Sequence, residues 1–208
     1  MYWAEFFTIA IAHLFAVASP GPDFAVVMRQ SVRGGTRSGV WTSLGVGSAI
    51  LLHVTYCLLG VALLLSQSPA LFNVMKLLAA GYLFYLGVQS IRASLIEPKV
   101  EGESQKEPVL SAARAFGLGF LTNGLNPKAT LFFLALFTVV IDPDTPTTIQ
   151  IMYGLYLAVA TFVWFAFLSL ILGVPRVRSF ILRMGVWLER AMGAILMLIS
   201  LQIALNGV

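Results

Sequence analysis

The chain has 208 residues, 59% of them hydrophobic and only 11% charged, with a mean hydropathy of +0.90. A soluble domain carries roughly 25% charged residues, so this chain lacks the polar atoms to cover a globule, and it has several apolar runs long enough to cross a lipid bilayer. It reads as an integral membrane protein. The net charge of +4 therefore bears on orientation and gives no reason to expect nucleic acid as a partner. The single cysteine, Cys57, lies in an apolar run and cannot supply an internal disulfide, a redox pair or a cysteine metal cluster.

The apolar pattern predicts six transmembrane helices: about Trp3 to Val27, Gly39 to Leu65, Leu71 to Ile91, Ala115 to Ile141, Ile149 to Gly173 and Val186 to Leu205. The first run has Glu5 and no basic residue near its start, so it reads as a mature helix despite Ala16-Val17-Ala18, which looks like a cleavage site. Inside this span stands Ser19-Pro20-Gly21-Pro22-Asp23. Proline lacks an N–H and clashes with the preceding turn, so the helix breaks there. The fourth span is interrupted in the same way at Asn126-Pro127-Lys128. Between the third and fourth spans, residues 97–111 form a polar stretch that reads as a cytoplasmic linker.

Basic residues set the orientation. Arg29, Arg33 and Arg37 follow the first span, Arg92, Lys99, Lys106 and Arg114 the third, and Arg176, Arg178, Arg183 and Arg190 the fifth. The opposite side has at most Lys76. The excess of Lys and Arg in cytoplasmic loops predicts that these three loops are inside and both termini outside.

Three spans on each side of the linker give two halves of opposite orientation. Laying Pro22 over Pro127 puts a broken helix first in each half and sets Asp23 opposite Lys128. The expected fold is thus all-α: two inverted three-helix repeats, 1–96 and 112–208, with the first helix of each repeat broken at proline. Gly39, Ser43 and Gly47 recur every four residues and mark a face where another helix approaches closely.

The chain resembles the LysE/RhtB family of bacterial amino-acid exporters. The resemblance is carried by Ser19-Pro20-Gly21-Pro22-Asp23-Phe24, Gly34-Gly35 with Arg37 and Gly39, Leu44-Gly45, Tyr82-Leu83-Phe84-Tyr85-Leu86-Gly87 and Asn126-Pro127-Lys128-Ala129. It covers nearly the whole chain, and His13 with Ala16 looks more like the homoserine/threonine branch. The resemblance implies a secondary transporter in the bacterial inner membrane that exports amino acids, driven by the proton gradient, with neutral substrates such as threonine or homoserine favoured. It implies no enzyme activity and no cofactor. A homo-oligomer is compatible with the sequence and not specified by it.

The residues themselves suit that cargo. A broken helix offers unpaired N–H groups at one new end and unpaired carbonyls at the other. The N–H end suits a carboxylate; the carbonyl end, taken together with Asp23, suits an ammonium group. Pro20, Gly21, Pro22 and Asp23, with Asn126, Pro127 and Lys128, are the candidate substrate and coupling residues, and His53 joins them as a group that titrates near neutral pH. Asp23 is the only acid deep in a span and the candidate proton carrier. It is expected to approach Lys128, because either charge alone in the membrane is costly. The alternatives are that Asp23 merely caps the next helix, that Lys128 snorkels to an interface, and that both His13 and His53 are packing residues with satisfied hydrogen bonds. The runner-up function, export of a divalent metal ion, wants several oxygen ligands where the membrane segments offer one carboxylate. No catalytic residues and no metal site are expected.

Overall fold

The computed structural model describes residues 2–95, 109–142, 144–172 and 174–206. Most of the 97–111 linker lies outside the described residues. The described chain is all α-helical: α1 (Tyr2–Ala18), α2 (Pro22–Gln67), α3 (Pro69–Ala93), α4 (Ala112–Gly124), α5 (Pro127–Ala135) running on through a π-helical turn (Leu136–Val140), α6 (Thr147–Ile171) and α7 (Pro175–Asn206).

Proline draws most of the helix starts. Pro22, Pro69, Pro127 and Pro175 each open a helix, where the missing N–H has no intrahelical partner in any case and the fixed φ suits the first turn. Side chains cap α4 and α5: Ser111 Oγ accepts from Arg114 N at the start of α4, and Asn126 Oδ1 accepts from Lys128 N at the start of α5. Within α2, Gly35 has φ 77° and is the one described residue with positive φ. Glycine adopts that backbone without the penalty of a Cβ, so one residue divides the long element at the place where the sequence suggests a loop.

Packing is organised by α2, which lies against α4 and α6, while α3 pairs with α7. Small residues make the first contact possible. A Cβ on Gly45 would collide with the Phe116 carbonyl oxygen, and a Cβ on Gly119 with that of Thr42. The expected close face also forms: Gly39 abuts Ser169 and Gly47 abuts Ala158 on α6, and Ser43 Oγ lies 3.3 Å from Ser169 Oγ. The larger core joins α1, α2, α3, α5, the π-helical turn, α6 and α7, with Ile9, Cys57 and Leu157 among its fully buried members. A second cluster gathers Phe24, Val27, Val46, Phe165 and Leu168.

The expectation of six transmembrane helices in two inverted three-helix repeats is corrected by this architecture. Seven α-helices are described, and four segments are long and apolar enough to cross a membrane: Pro22–Gly60, Asn73–Ala93, Thr147–Ile171 and Arg183–Leu201. Tyr2–Ala18 and Pro127–Val140 are shorter apolar helices. The breaks are the physical reason. They leave α1 with 17 residues, α4 with 13 and α5 with 9, against the ~20 that cross a hydrocarbon core. The halves also differ in connection. Helical structure resumes directly after Gly35 in the first, whereas residues 141–146, with Pro146 as the N-cap of α6, separate the helices of the second. With several spanning segments, the chain is a multi-pass membrane protein.

Candidate functional site

The two helix breaks meet. Ser19 and Gly21, between α1 and α2, and Asn126, between α4 and α5, face a common cavity of about 60 Å³. One water molecule needs ~10–15 Å³ on this measure, so the space accommodates a few waters or a small solute.

Asp23 is in the first turn of α2, which leaves its carboxylate at the N–H end of that helix. The helix dipole favours negative charge there. The sequence reading places Asp23 at a carbonyl end; the structure places it at the opposite one. Its partners are amides: Asn123 Nδ2 donates to Oδ2 at 2.9 Å and Asn126 Nδ2 donates to the same oxygen at 3.3 Å. The other oxygen, Oδ1, is buried without a hydrogen-bond partner among the described residues. Asp23 is therefore not a simple helix cap. The capping role at the second break belongs to Asn126, whose amide serves both sides, accepting from Lys128 N through Oδ1 at 3.0 Å and donating to Asp23.

Lys128 shares the cavity but does not form an ion pair with Asp23. Its Nζ donates to Ser19 Oγ at 3.4 Å, just past the carbonyl end of α1. Gly21 leaves room beside it, since a Cβ there would lie 3.9 Å from Nζ. The expected direct pairing is replaced by an arrangement in which each charge has its own polar partner and the space between is open to a third party. Lys128 is part-buried against the cavity rather than extended to an interface.

His53 is fully buried on α2, in line with the equally buried Thr42, Val46 and Ala49. It does not line the cavity. Its Nε2 lies 3.1 Å from the Asn123 carbonyl oxygen and 3.2 Å from Asn123 Oδ1, its Nδ1 contacts the Tyr56 hydroxyl, and its ring stacks on Phe133. Both Asn123 atoms are acceptors, so Nε2 carries the hydrogen. The Asn123 amide is thereby oriented with its oxygen toward His53 and its N–H₂ toward Asp23.

Of the candidates read from sequence, Gly21, Pro22, Asp23, Asn126 and Lys128 line the cavity together. Pro20 lies beside it, packed so closely on α7 that a Cβ on Gly185 would come within 2.7 Å of its ring. Pro127 opens α5 and is not part of the wall. Sequence reasoning missed Asn123 and Ser19 as polar partners, and His13, for which packing was one alternative, lines the cavity together with Phe132, Phe133 and Phe165. Asn123 had one available signal: three residues before Asn126, it shares a helix face with the break. Among the described residues there is no group of three or more His, Cys, Asp or Glu side chains placed to hold a metal ion.

A carboxylate and an ammonium lining one largely apolar cavity, framed by helix breaks inside a multi-pass membrane protein, are the parts of a transporter. The chain belongs to the LysE type translocator family, whose model matches residues 14–207. It is 27% identical over 192 residues to a threonine efflux protein of Escherichia coli K12, covering 91% of this chain and 92% of that one. It is 35% identical over 149 residues to a leucine efflux protein of Salmonella choleraesuis, covering 71% and 66%. No solved structure matches the chain.

Proposed function

We propose that the protein exports neutral amino acids, with threonine and homoserine favoured, from the cytoplasm across the bacterial inner membrane in exchange for protons. The observation that carries the reading is Asp23 Oδ1, buried and unpartnered beside the cavity. A buried polar oxygen without a partner is costly, and two species could satisfy it: a proton, or the ammonium group of a substrate. The two compete for one oxygen, and that competition is the logic of an antiporter. Lys128 and Ser19 lie on the same wall and suit the substrate carboxylate, so a zwitterion finds both of its ends answered. The relatives named for threonine and leucine efflux support a neutral cargo. The small cavity supports a compact one.

In this reading the arginine-rich stretches around Gly35 and at the start of α7 face the cytoplasm and both termini face outward. The test is efflux of radiolabelled threonine from loaded vesicles under an imposed pH gradient. Wild-type protein speeds efflux when the outside is acidic and loses that gain when the gradient is collapsed. Efflux indifferent to the gradient removes the antiport mechanism, and no efflux of any amino acid in a neutral panel removes the proposed function.

A further inference from the structure

A second polar group lines the same cavity away from the charged residues. His13 Nε2 on α1 and Thr161 Oγ1 on α6 lie 2.8 Å apart. Both are cavity-wall residues, and they are only 4% and 2% exposed. Most other buried hydroxyls of α2 and α6 behave differently, Ser38, which donates to Gln30 Oε1 at 3.0 Å, being the exception. Ser31, Thr42, Ser43 and Ser169 each donate to a backbone carbonyl four residues earlier, the usual way a helix absorbs a hydroxyl. Thr161 does not: among the described residues, its one hydrogen-bond partner is His13.

We infer that His13 and Thr161 form the subsite that reads the substrate's side chain and selects a hydroxyl there. This inference rests on the proposed amino-acid export. A hydroxyl has one donor and two acceptor positions, and the bond to His13 uses one. If Thr161 donates to Nε2, its oxygen still accepts; if Nε2–H donates, the Thr161 proton is free to be given. A substrate hydroxyl completes the set with either histidine tautomer, and a methyl group completes neither. His13 precedes Ser19 by six residues, about 9 Å of rise along a helix axis, and both line the cavity, so the two polar groups meet it at different depths along α1. The walls between these ends are apolar, with Val17, Ile50, Phe132 and Leu196 among them.

Threonine and valine separate this claim from mere fit, because they have nearly the same shape and differ by a hydroxyl for a methyl. The experiment is labelled threonine efflux from vesicles containing the full-length protein, with unlabelled threonine, serine or valine as competitor. On the wild type, valine should compete roughly two- to tenfold less well than threonine, the value of one neutral hydrogen bond. Thr161→Val should erase that gap, and Thr161→Ser, which keeps the hydroxyl, should restore it. Equal competition by valine on the wild type overturns the inference without any variant, so a failure of Thr161→Val to fold does not protect it. An unchanged threonine-to-valine ratio in folded Thr161→Val also overturns it. Absence of export of every amino acid tested overturns the export reading and this subsite together; export without a hydroxyl preference removes the subsite alone.

Discussion

Asn123 Nδ2 and Asp23 Oδ2 are joined by a 2.9 Å hydrogen bond across 100 residues of sequence. It links the last turn of α4 to the first turn of α2, and His53 fixes its polarity from behind by binding Asn123 Oδ1. A hydrogen bond to a charged group contributes about 1.5–3 kcal/mol. Asn123→Ala is therefore expected to lower the unfolding midpoint in detergent, read by fluorescence-detected gel filtration, and to slow efflux roughly tenfold, since each ~1.4 kcal/mol lost from the transport barrier is a factor of ten. Wild-type efflux from Asn123→Ala would show that Asp23 needs only Asn126.

The separation of Asp23 from Lys128 changes what a double-mutant cycle should give. A buried pair in direct contact leaves a stranded charge when one partner is removed, at about 3–5 kcal/mol. Here Lys128 is held by Ser19, and Asp23 by two asparagines. Because the two residues share the cavity and the Asn126 amide, Asp23→Asn and Lys128→Gln should still couple in stability, by about 0.5–3 kcal/mol and less than a pair in direct contact. In transport they should not behave alike. Asp23→Asn loses the response to an imposed pH gradient, because an amide cannot take and release the proton; Lys128→Gln weakens apparent substrate affinity. Gradient-driven efflux at the full rate by Asp23→Asn ends the case for Asp23 as proton carrier.

The helix breaks were legible because proline announces them: Pro22 and Pro127 mark the starts of α2 and α5, and the charged residues just after each line one cavity. The number of spanning helices was not. Arg29, Arg33, Gly34, Gly35 and Arg37 have the composition of a loop, yet only Gly35 leaves helical geometry. Composition reports where the chain is polar and does not report whether the backbone keeps its hydrogen bonds. The polar shell of Asp23 was legible in part. Asn126 is in the break itself, whereas His13 and Thr161 are 148 residues apart and leave no local trace of their contact.

At the second break, the structure divides the work between neighbours. Pro127 is the first residue of α5, a position where proline is tolerated and where its removal need not rejoin the helices. Asn126 caps α5 and holds Asp23. Asn126→Ala should cost about 1–2 kcal/mol from the cap alone and depress efflux, with a much smaller loss from Pro127→Ala. Thermal melts and vesicle efflux on the pair of variants decide it; a larger loss from Pro127→Ala would return the role of helix breaker to the proline.

Orientation is open to a labelling test with little background, because the single native cysteine, Cys57, is buried. Asp144→Cys and Thr36→Cys place thiols at exposed positions, one in the connection before α6 and one beside the Gly35 break. If the arginine-rich side is cytoplasmic, a membrane-impermeant maleimide added to intact cells labels position 144 and spares position 36 until the membrane is opened. The reverse pattern inverts the protein and turns the proposed export into import.

The connection before α6 is tied to α1 by one carboxylate, and this yields the last expectation. Glu5 Oε1 accepts from Asp142 N at 3.0 Å and from Thr145 Oγ1 at 2.9 Å, and Oε2 accepts from Tyr153 OH at 3.2 Å. α1 is too short to be held by length alone, and its Ile9 and Ala12 face belongs to the larger core. The Glu5 contacts therefore anchor the end of α1 remote from Ser19, and through the rigid helix they set where His13 and Ser19 stand in the cavity wall. Glu5→Ala removes every acceptor at once and should lower the unfolding midpoint by the equivalent of about 1–3 kcal/mol. Glu5→Gln keeps one oxygen and should lose less. Because the anchor acts on the whole of α1, Glu5→Ala should also weaken apparent threonine affinity in the vesicle assay, although residue 5 is not among the residues that line the cavity. A large fall in stability with threonine affinity unchanged would mean that α1 keeps its place through core packing, and that Glu5 holds only the loop.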